Sequence, residues 1–464
     1  MANSELAVVN PSTGEQIASL TMDDAPSAEL KLRRARRRFD QRAGHMPLHE
    51  RVLLLQRTAQ LMQDEAAELA LCIAHEGGKP LADARVEVTR AIAGVGIAVA
   101  EVSAQHGHVI PLGSEQAASG RRAFTQKFPR GVVLAFSAFN HPLNLIVHQV
   151  IPAFASGCPC VVKPAADTPL SCIRLVALMH RAGVPEDYVN CVITDDLAIA
   201  GALVASKDIA FFSFIGSARV GWMLRASLQP GVRCALEHGG IAPAVVCQSA
   251  DLELAVPSIA KGGFYHAGQV CVSTQRVYVH ESLYDVFVEK LCAVVGDLTV
   301  GNAADPKTDV GPLIRPAEAE RIAQWVDEAV AMGAKVGIGG HRLQGNFYQP
   351  TVLLSPPEQA KVSQLEIFGP VVCVYAFNEL EQALEAANLH PHAFQAAIYA
   401  SDMRSINTAY TALDASAVMI NDHTAFRDDA MPFAGLSESG LGVGGIPYTI
   451  EDLQFEKMMV IKHQ

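Results

Sequence analysis

None of the ten cysteines stands in a CxxC pair, and a chain of 464 residues is too large to need disulfide staples. That pattern argues against a disulfide scaffold or a zinc ribbon and predicts reduced thiols. Charge is sparse as well: only 18% of the residues are charged, and acids outnumber bases to give a net charge of −12. A nucleic-acid partner or an anionic membrane surface is therefore not expected. RRARRR at 33–38 is a local exception, but it shares its stretch with Leu30, Leu32 and Phe39 and reads as the solvated face of a helix. The opening MANSELAVVNPSTGE lacks both the basic and the apolar block of a secretory signal, so the expected compartment is the cytoplasm. Residues 132–162 contain no Asp, Glu, Lys or Arg, yet Asn140, Pro142, Asn144, His148 and Pro152 interrupt them. A membrane span needs about 20 mostly apolar residues in a row, so this segment reads as interior. The histidine pairs at 106 and 108, 390 and 392, and 45 and 49 have no companion cysteine or acid at ligand spacing, and no metal is expected.

Half of the residues are hydrophobic, enough for a large interior, and the length suggests two domains of about 150 to 250 residues. From about 131 to 247, the runs VVLAF, CVVK, YVNCVI, IAFFSFIG and APAVVC read as buried strands, with TPLSCIRLVALMHRAG as the clearest intervening helix. A second series begins near 250 with RVYVH, a helix from about Ser282, and later VVCVYAF and QAAIYAS. Strands alternating with helices predict an α/β protein with parallel sheets, whose ligands bind beyond the carboxyl ends of the strands. Two pieces fit neither series: the polar segment 107–130 and the tail KMMVIKHQ from 457. A terminal β segment wants a partner strand, and that partner can come from another subunit.

Several residues carry chemistry. Cys271, in YHAGQVC, follows Gly268 and Gln269 and precedes Ser273, Thr274 and Gln275, a setting that presents a sulfur from a loop, although free cysteines are commonly inert and buried. FSFIGSARVG turns a strand into a helix at Gly216 and Ser217, where Ser217 would cap the helix and free N–H groups would hold a pyrophosphate; a plain strand-to-helix turn fits equally. Lys163 in VVKPAADTP stands at a strand end, either solvated or at the lip where a ribose would lie. Glu237 in LEHGG precedes two glycines and suits a general base or a surface turn. Asn140 in AFNHP follows a strand and can donate to an oxyanion or cap the next helix.

These motifs, with NPSTGE at 10–15, EGGKPLADARVEV at 76–88, DPKTDVGPLI at 305–314, EIFGP at 366–370 and PFAGLSESGLGVGG at 432–445, together resemble the aldehyde dehydrogenase superfamily along nearly the whole chain. The resemblance implies two Rossmann-like doubly wound α/β domains plus a small β oligomerisation element. It divides the chain into a cofactor-binding domain (1–106 and 131–240), a catalytic domain (241–440) and an oligomerisation element (107–130 and 446–464), and implies a homodimer or homotetramer. It also implies that Cys271 is the nucleophile, that Asn140 and the Cys271 N–H form the oxyanion hole, and that Glu237 is the base for deacylation. For the cofactor, NAD or NADP, it points to Lys163 and Ala166 near the adenosine ribose, Gly216 and Ser217 at the pyrophosphate, and Gly239, Glu366 and Phe368 at the nicotinamide end. Ala166 stands where NAD-preferring relatives often carry a glutamate, so NADP stays open. His238 replaces the leucine of the usual ELGG.

The substrate expectation rests on the helix after Asn140. With a start near Pro142, His141, Asn144 and His148 fall at i, i+3 and i+7 on one face. Three polar groups in a buried pocket mouth call for a polar substrate, unless they bond backbone or water. FNHPLN also resembles branches that take lactaldehyde, glyceraldehyde or phosphonoacetaldehyde, and Arg90 would supply charge for an anionic group; Val270, where a second arginine would have helped, argues against a phosphonate. The sequence thus predicts oxidation of a short polar or anionic aldehyde to its acid. The alternatives are acyl transfer to coenzyme A and a catalytically retired member of the fold.

Overall fold

The computed structural model describes residues 4–42 and 45–462; residues 1–3, 43–44 and the last two of the KMMVIKHQ tail lie outside it. The first sheet has six strands in the order Gly440–Leu441, Arg233–Glu237, Phe211–Ile215, Val133–Phe136, Cys160–Lys163 and Val189–Cys191. All its pairings are parallel except the short edge strand Gly440–Leu441. Alternation along VLAF shows why such strands read as continuous apolar runs. Val133 and Ala135 pack on one layer, with residues of helices Leu81–Ser103, Asn144–Ser156 and Leu170–Ala182. Leu134 and Phe136 pack on the other, with Leu32, Leu203 and Leu224. Both faces are covered, as a parallel sheet requires.

The second sheet has seven strands in the order Lys335–Ile338, Thr351–Leu354, Val371–Phe377, Thr274–His280, Ala242–Val246, Gln395–Tyr399 and Ala417–Ile420, with only the first pairing antiparallel. APAVVC therefore belongs to this sheet and not to the series that precedes it, because Ala244 to Val246 pair in parallel with both 277–279 and 397–399.

The terminal tail finds its partner within its own chain. Strand Gln454–Lys462 pairs antiparallel with Arg121–Pro129 along its whole length, and Val109–Ile110 adds a third strand. Residues 446–452 do not join this sheet: they form helix Ile446–Asp452, whose Ile446 and Ile450 are buried in the core against Val133 and Ala135 of the first sheet. No helix among the described residues is long and apolar enough to cross a membrane. RRARRR lies on helix Ala25–Asp40, which buries Ala28, Leu32 and Ala35 and leaves Arg33 and Arg36 paired with Glu29 and Asp40 at the surface.

EGGKPLADARVEV fixes the helices around the cleft. Glu76 accepts from the main-chain N–H groups of Leu170 and Ser171, closing the amino end of helix Leu170–Ala182. Glu87 does the same for helix Asn144–Ser156, accepting from Leu143 N at 2.9 Å and Asn144 N at 3.0 Å. Helix amino ends leave N–H groups without intrahelical partners, and a carboxylate also suits the positive end of the dipole. Glu87 is in turn paired with fully buried Lys79, and Asp83 reaches Lys261 at 2.9 Å on helix Leu252–Phe264.

Candidate active site

Cys271 follows an unusual turn. His266, Ala267 and Gly268 all adopt positive φ, at 48°, 53° and 69°. Only glycine takes that conformation freely, and each non-glycine residue there costs roughly 1–3 kcal/mol. At Gly268 a side chain is also excluded by contact, since a Cβ would lie 2.1 Å from the Gly369 carbonyl oxygen. Gln269 holds the turn in place: its side-chain amide donates to Pro312 O and His266 O at 3.3 Å each, and its Oε1 accepts from Ile314 N at 2.9 Å. Its main-chain oxygen accepts from Asn140 Nδ2 at 2.8 Å, which leaves the second amide N–H of Asn140 free of that bond. The GQ of GQVC and the GPLI of 311–314 thus form one clamp.

The cysteine is enclosed between acids. Burial, with Glu366 and Glu237 nearby, pushes its thiol up to about 12, against the opposing charge of Arg427. Glu237 ends strand Arg233–Glu237, and its main-chain oxygen accepts from Gly216 N at 3.0 Å. Its carboxyl group fills the space beside Gly444, where a Cβ would come within 2.1 Å of Oε1. Burial raises it to about 7, with Arg427 again opposing. Glu366 lies against the two glycines: a Cβ on Gly239 would sit 1.9 Å from Glu366 Oε1, and Gly240 N donates to that oxygen at 3.2 Å. Burial raises Glu366 to about 8. Phe368, itself at φ 49°, meets Phe139 edge to face at 5.8 Å.

Away from the sulfur, Lys163 ends strand Cys160–Lys163, with its ammonium 5.7 Å above the Phe136 ring and, among the described residues, only a 3.4 Å bond to Pro164 O. Ala166 sits in the following turn, half-buried, beside Asp167, which Arg315 grips through two bonds of 2.9 and 2.6 Å. Ser217 occupies the N-cap position of helix Ala218–Arg225, but its hydroxyl makes no capping bond; the expected cap is formed by position and not by side chain. His238 is buried against Trp222 and Phe214, with Nδ1 3.0 Å from the Glu438 carbonyl oxygen, and its ring occupies the space that keeps Gly221 a glycine.

The substrate-side residues behave differently from the sequence expectation. The helix begins at Asn144, two residues beyond Pro142, and two of its polar side chains, Asn144 and His148, reach Asp429 of the same chain, while Asn144 Oδ1 stays without a partner among the described residues. Asn144 Nδ2 lies 3.2 Å and His148 Nε2 2.7 Å from Asp429 Oδ1. Arg90 donates to the same carboxylate at 3.2 and 2.6 Å, so its charge is not free for an anion. Burial opposes ionisation of Asp429, but the His148 and Arg90 contacts outweigh it and hold the acid well below the usual carboxylate range. His141 faces elsewhere, with Nε2 3.3 Å from the Tyr265 hydroxyl.

Arg427 and Asp429, which sequence reasoning did not single out, complete the site. Arg427 stacks on Phe433, its guanidinium carbon 3.5 Å from the ring centroid, and is largely buried. Phe433 belongs to a small apolar cluster with Val270, Val272 and Phe394, against which Tyr265 and Cys271 also pack. Burial lowers the guanidinium to about 10 while Glu237 and Asp429 hold it up. FRDDAM, 426–431, directly precedes the motif PFAGLSESGLGVGG, and its charges in so apolar a chain were the available signal.

The aldehyde dehydrogenase family model matches residues 1–459. The chain is 38% identical over 414 residues to a 3-sulfolactaldehyde dehydrogenase of Priestia aryabhattai, covering 89% of this chain and 86% of that one. Among solved structures, it is similar to aldehyde dehydrogenase 21 from Physcomitrella patens in complex with the reaction product succinate (TM-score 0.96, 33% identity, 99% and 95% of the two chains). It is also similar to a glyceraldehyde-3-phosphate dehydrogenase from Methanocaldococcus jannaschii complexed with NADP (TM-score 0.94, 33% identity, both chains covered at 100%).

Proposed function

The chain belongs to the aldehyde dehydrogenase family and is an NAD(P)-dependent enzyme, and from that premise we propose that it oxidises a short anionic or otherwise polar aldehyde to its carboxylic acid through Cys271. The observation that carries the substrate class is Arg427, a largely buried guanidinium beside Cys271 and Glu237 whose nearest acid, Asp429, is 4.0 Å away and already engaged. A relative acting on sulfolactaldehyde and a neighbour holding succinate agree with an anionic end group.

The residues present fit a dinucleotide. Among the described residues Ser217 has an unengaged hydroxyl at a helix N-terminus, Lys163 has one weak bond, and Glu366 is held against glycines 239 and 240, which lack the side chains that would displace its carboxylate. Lys163 and Ala166 would flank the adenosine ribose, Gly216 and Ser217 the pyrophosphate, and Gly239, Glu366 and Phe368 the nicotinamide end. When bound, the cofactor supplies the hydride acceptor.

The chain's own residues do the rest. An aldehyde has no good hydride-donating form until a nucleophile adds, and Cys271 is that nucleophile: its thiol gives its proton up to solvent to react as the thiolate, a form that Arg427 favours against burial and the neighbouring acids. The resulting oxyanion is held by the free N–H of Asn140 and the main-chain N–H of Cys271. After oxidation Cys271 carries a thioester. Glu237, raised to about 7, is poised near neutrality to take a proton from water, which then releases the acid. A buried base beside the sulfur favours water over coenzyme A as the acyl acceptor. We further propose that the three-stranded sheet, which exposes Val109, Phe128, Phe455, Met458 and Met459, joins subunits into a homodimer or homotetramer.

A panel of succinate semialdehyde, lactaldehyde, glyceraldehyde and hexanal, followed by reduced-nicotinamide absorbance with NAD and NADP in parallel, tests the reading. Preference for hexanal would contradict it.

A further inference from the structure

Two guanidinium groups converge on one carboxylate at the edge of the site. Arg90, on helix Leu81–Ser103, holds both oxygens of Asp429, and His148 and Asn144 add bonds to Oδ1. Arg427, two residues before Asp429, stays 4.0 Å from that oxygen and lies instead on the face of Phe433. Asp429 therefore hydrogen-bonds Arg90, whereas Arg427 feels its charge, and that of Glu237, without a hydrogen bond to either. Its own main chain is anchored as well, since its carbonyl oxygen accepts from Ile446 N at 3.1 Å. Among the described residues, this side of the cleft thus presents one cation that is close to Cys271 and without a hydrogen-bonded acid.

We propose that Asp429 is a specificity-determining residue: by holding Arg90 it leaves Arg427 alone to meet the far end of the substrate, so the enzyme selects aldehydes ending in a singly charged carboxylate or sulfonate over those ending in a doubly charged phosphate. A second negative charge would meet the Asp429 carboxylate instead of a second guanidinium, and like charges in a buried site repel strongly. This inference rests on the reading that an anionic aldehyde is oxidised at Cys271.

The test compares kcat/KM for succinate semialdehyde, lactaldehyde and glyceraldehyde 3-phosphate at pH 8, where their far ends carry one, no and two negative charges. The wild type is expected to favour succinate semialdehyde over glyceraldehyde 3-phosphate at least tenfold, and Asp429→Asn to cut that ratio at least tenfold by releasing Arg90. Because Asp429 is buried among its partners, a second variant keeps the test open if Asp429→Asn does not fold. Arg427→Gln should erase the preference for succinate semialdehyde over lactaldehyde even though Arg90 remains. If Arg427→Gln keeps that preference, or Asp429→Asn leaves the monoanion-to-dianion ratio unchanged in an enzyme that favours succinate semialdehyde, this inference alone is overturned. A wild type that favours hexanal over all three overturns the substrate reading and this inference with it.

Discussion

The side-chain amide of Asn140 donates to the main-chain oxygen of Gln269 at 2.8 Å, two residues ahead of Cys271. One contact thus ties the loop after strand Val133–Phe136 to the loop that carries the sulfur, and sets the distance between the proposed oxyanion donor and the nucleophile. Asn140→Ala is expected to lower kcat by about 100-fold to 1,000-fold, the usual loss for one oxyanion donor, with KM changing far less. A fall in thermal stability with kcat preserved would assign Asn140 to the fold alone.

Glu237, raised to about 7 by burial, gives the proposed deacylation a pH dependence. The base must be ionised, so kcat should fall as pH drops through about 7. Glu237→Gln should release one burst of reduced cofactor and then stall, and rapid-mixing absorbance would register that burst. Arg427 favours the ionised carboxyl, so Arg427→Gln should move the acid limb of the kcat profile to higher pH. A profile flat between pH 6 and 8 in the wild type would contradict this assignment.

Glu87 closes two N–H groups of helix Asn144–Ser156 and pairs with Lys79, and both side chains are fully buried. Removing one partner of such a pair leaves a buried charge uncompensated, at a cost of about 3–5 kcal/mol. Glu87→Gln should therefore lower the urea midpoint sharply. The double variant Glu87→Gln, Lys79→Met should recover part of that loss, because the stranded ammonium is gone. An unchanged midpoint in the single variant would show that the pair contributes nothing net.

Much of this arrangement was legible in the sequence, for identifiable reasons. Buried parallel strands such as VLAF announce themselves because both faces are apolar, and Gly216, Gly239 and Cys271 sit in turns whose residue types the local chemistry demands. The pairing of distant charges was not legible. The polar face at 141, 144 and 148 suggested a waiting substrate, yet Asp429, 281 residues beyond His148, takes the amide N–H of Asn144 and the ring of His148 along with Arg90. Periodicity reveals which residues share a helix face but not which loop will cover it. The run of strands put APAVVC in the first series while the family division at 241 put it in the second, where it pairs: an apolar run specifies a buried strand, and only tertiary pairing decides its sheet. The tail from 457 did read as β, but its partner lay within the chain, at 121–129.

Strand Gln454–Lys462 leaves exposed apolar side chains at Met458, Met459 and Val460. Truncation at Lys457 should lower the oligomeric mass measured by light scattering, because the apolar surface proposed to join subunits is removed. Equal masses for the truncated and full-length forms would show that subunits meet elsewhere.

The central claim is a covalent intermediate on Cys271. Glu237→Gln mixed with succinate semialdehyde and cofactor, quenched in acid and digested, should yield a peptide carrying Cys271 heavier by one acyl group. Cys271→Ala should give no adduct and no hydride transfer while still binding the dinucleotide. Undiminished turnover in Cys271→Ala, or an acyl group found on another residue, would contradict the account.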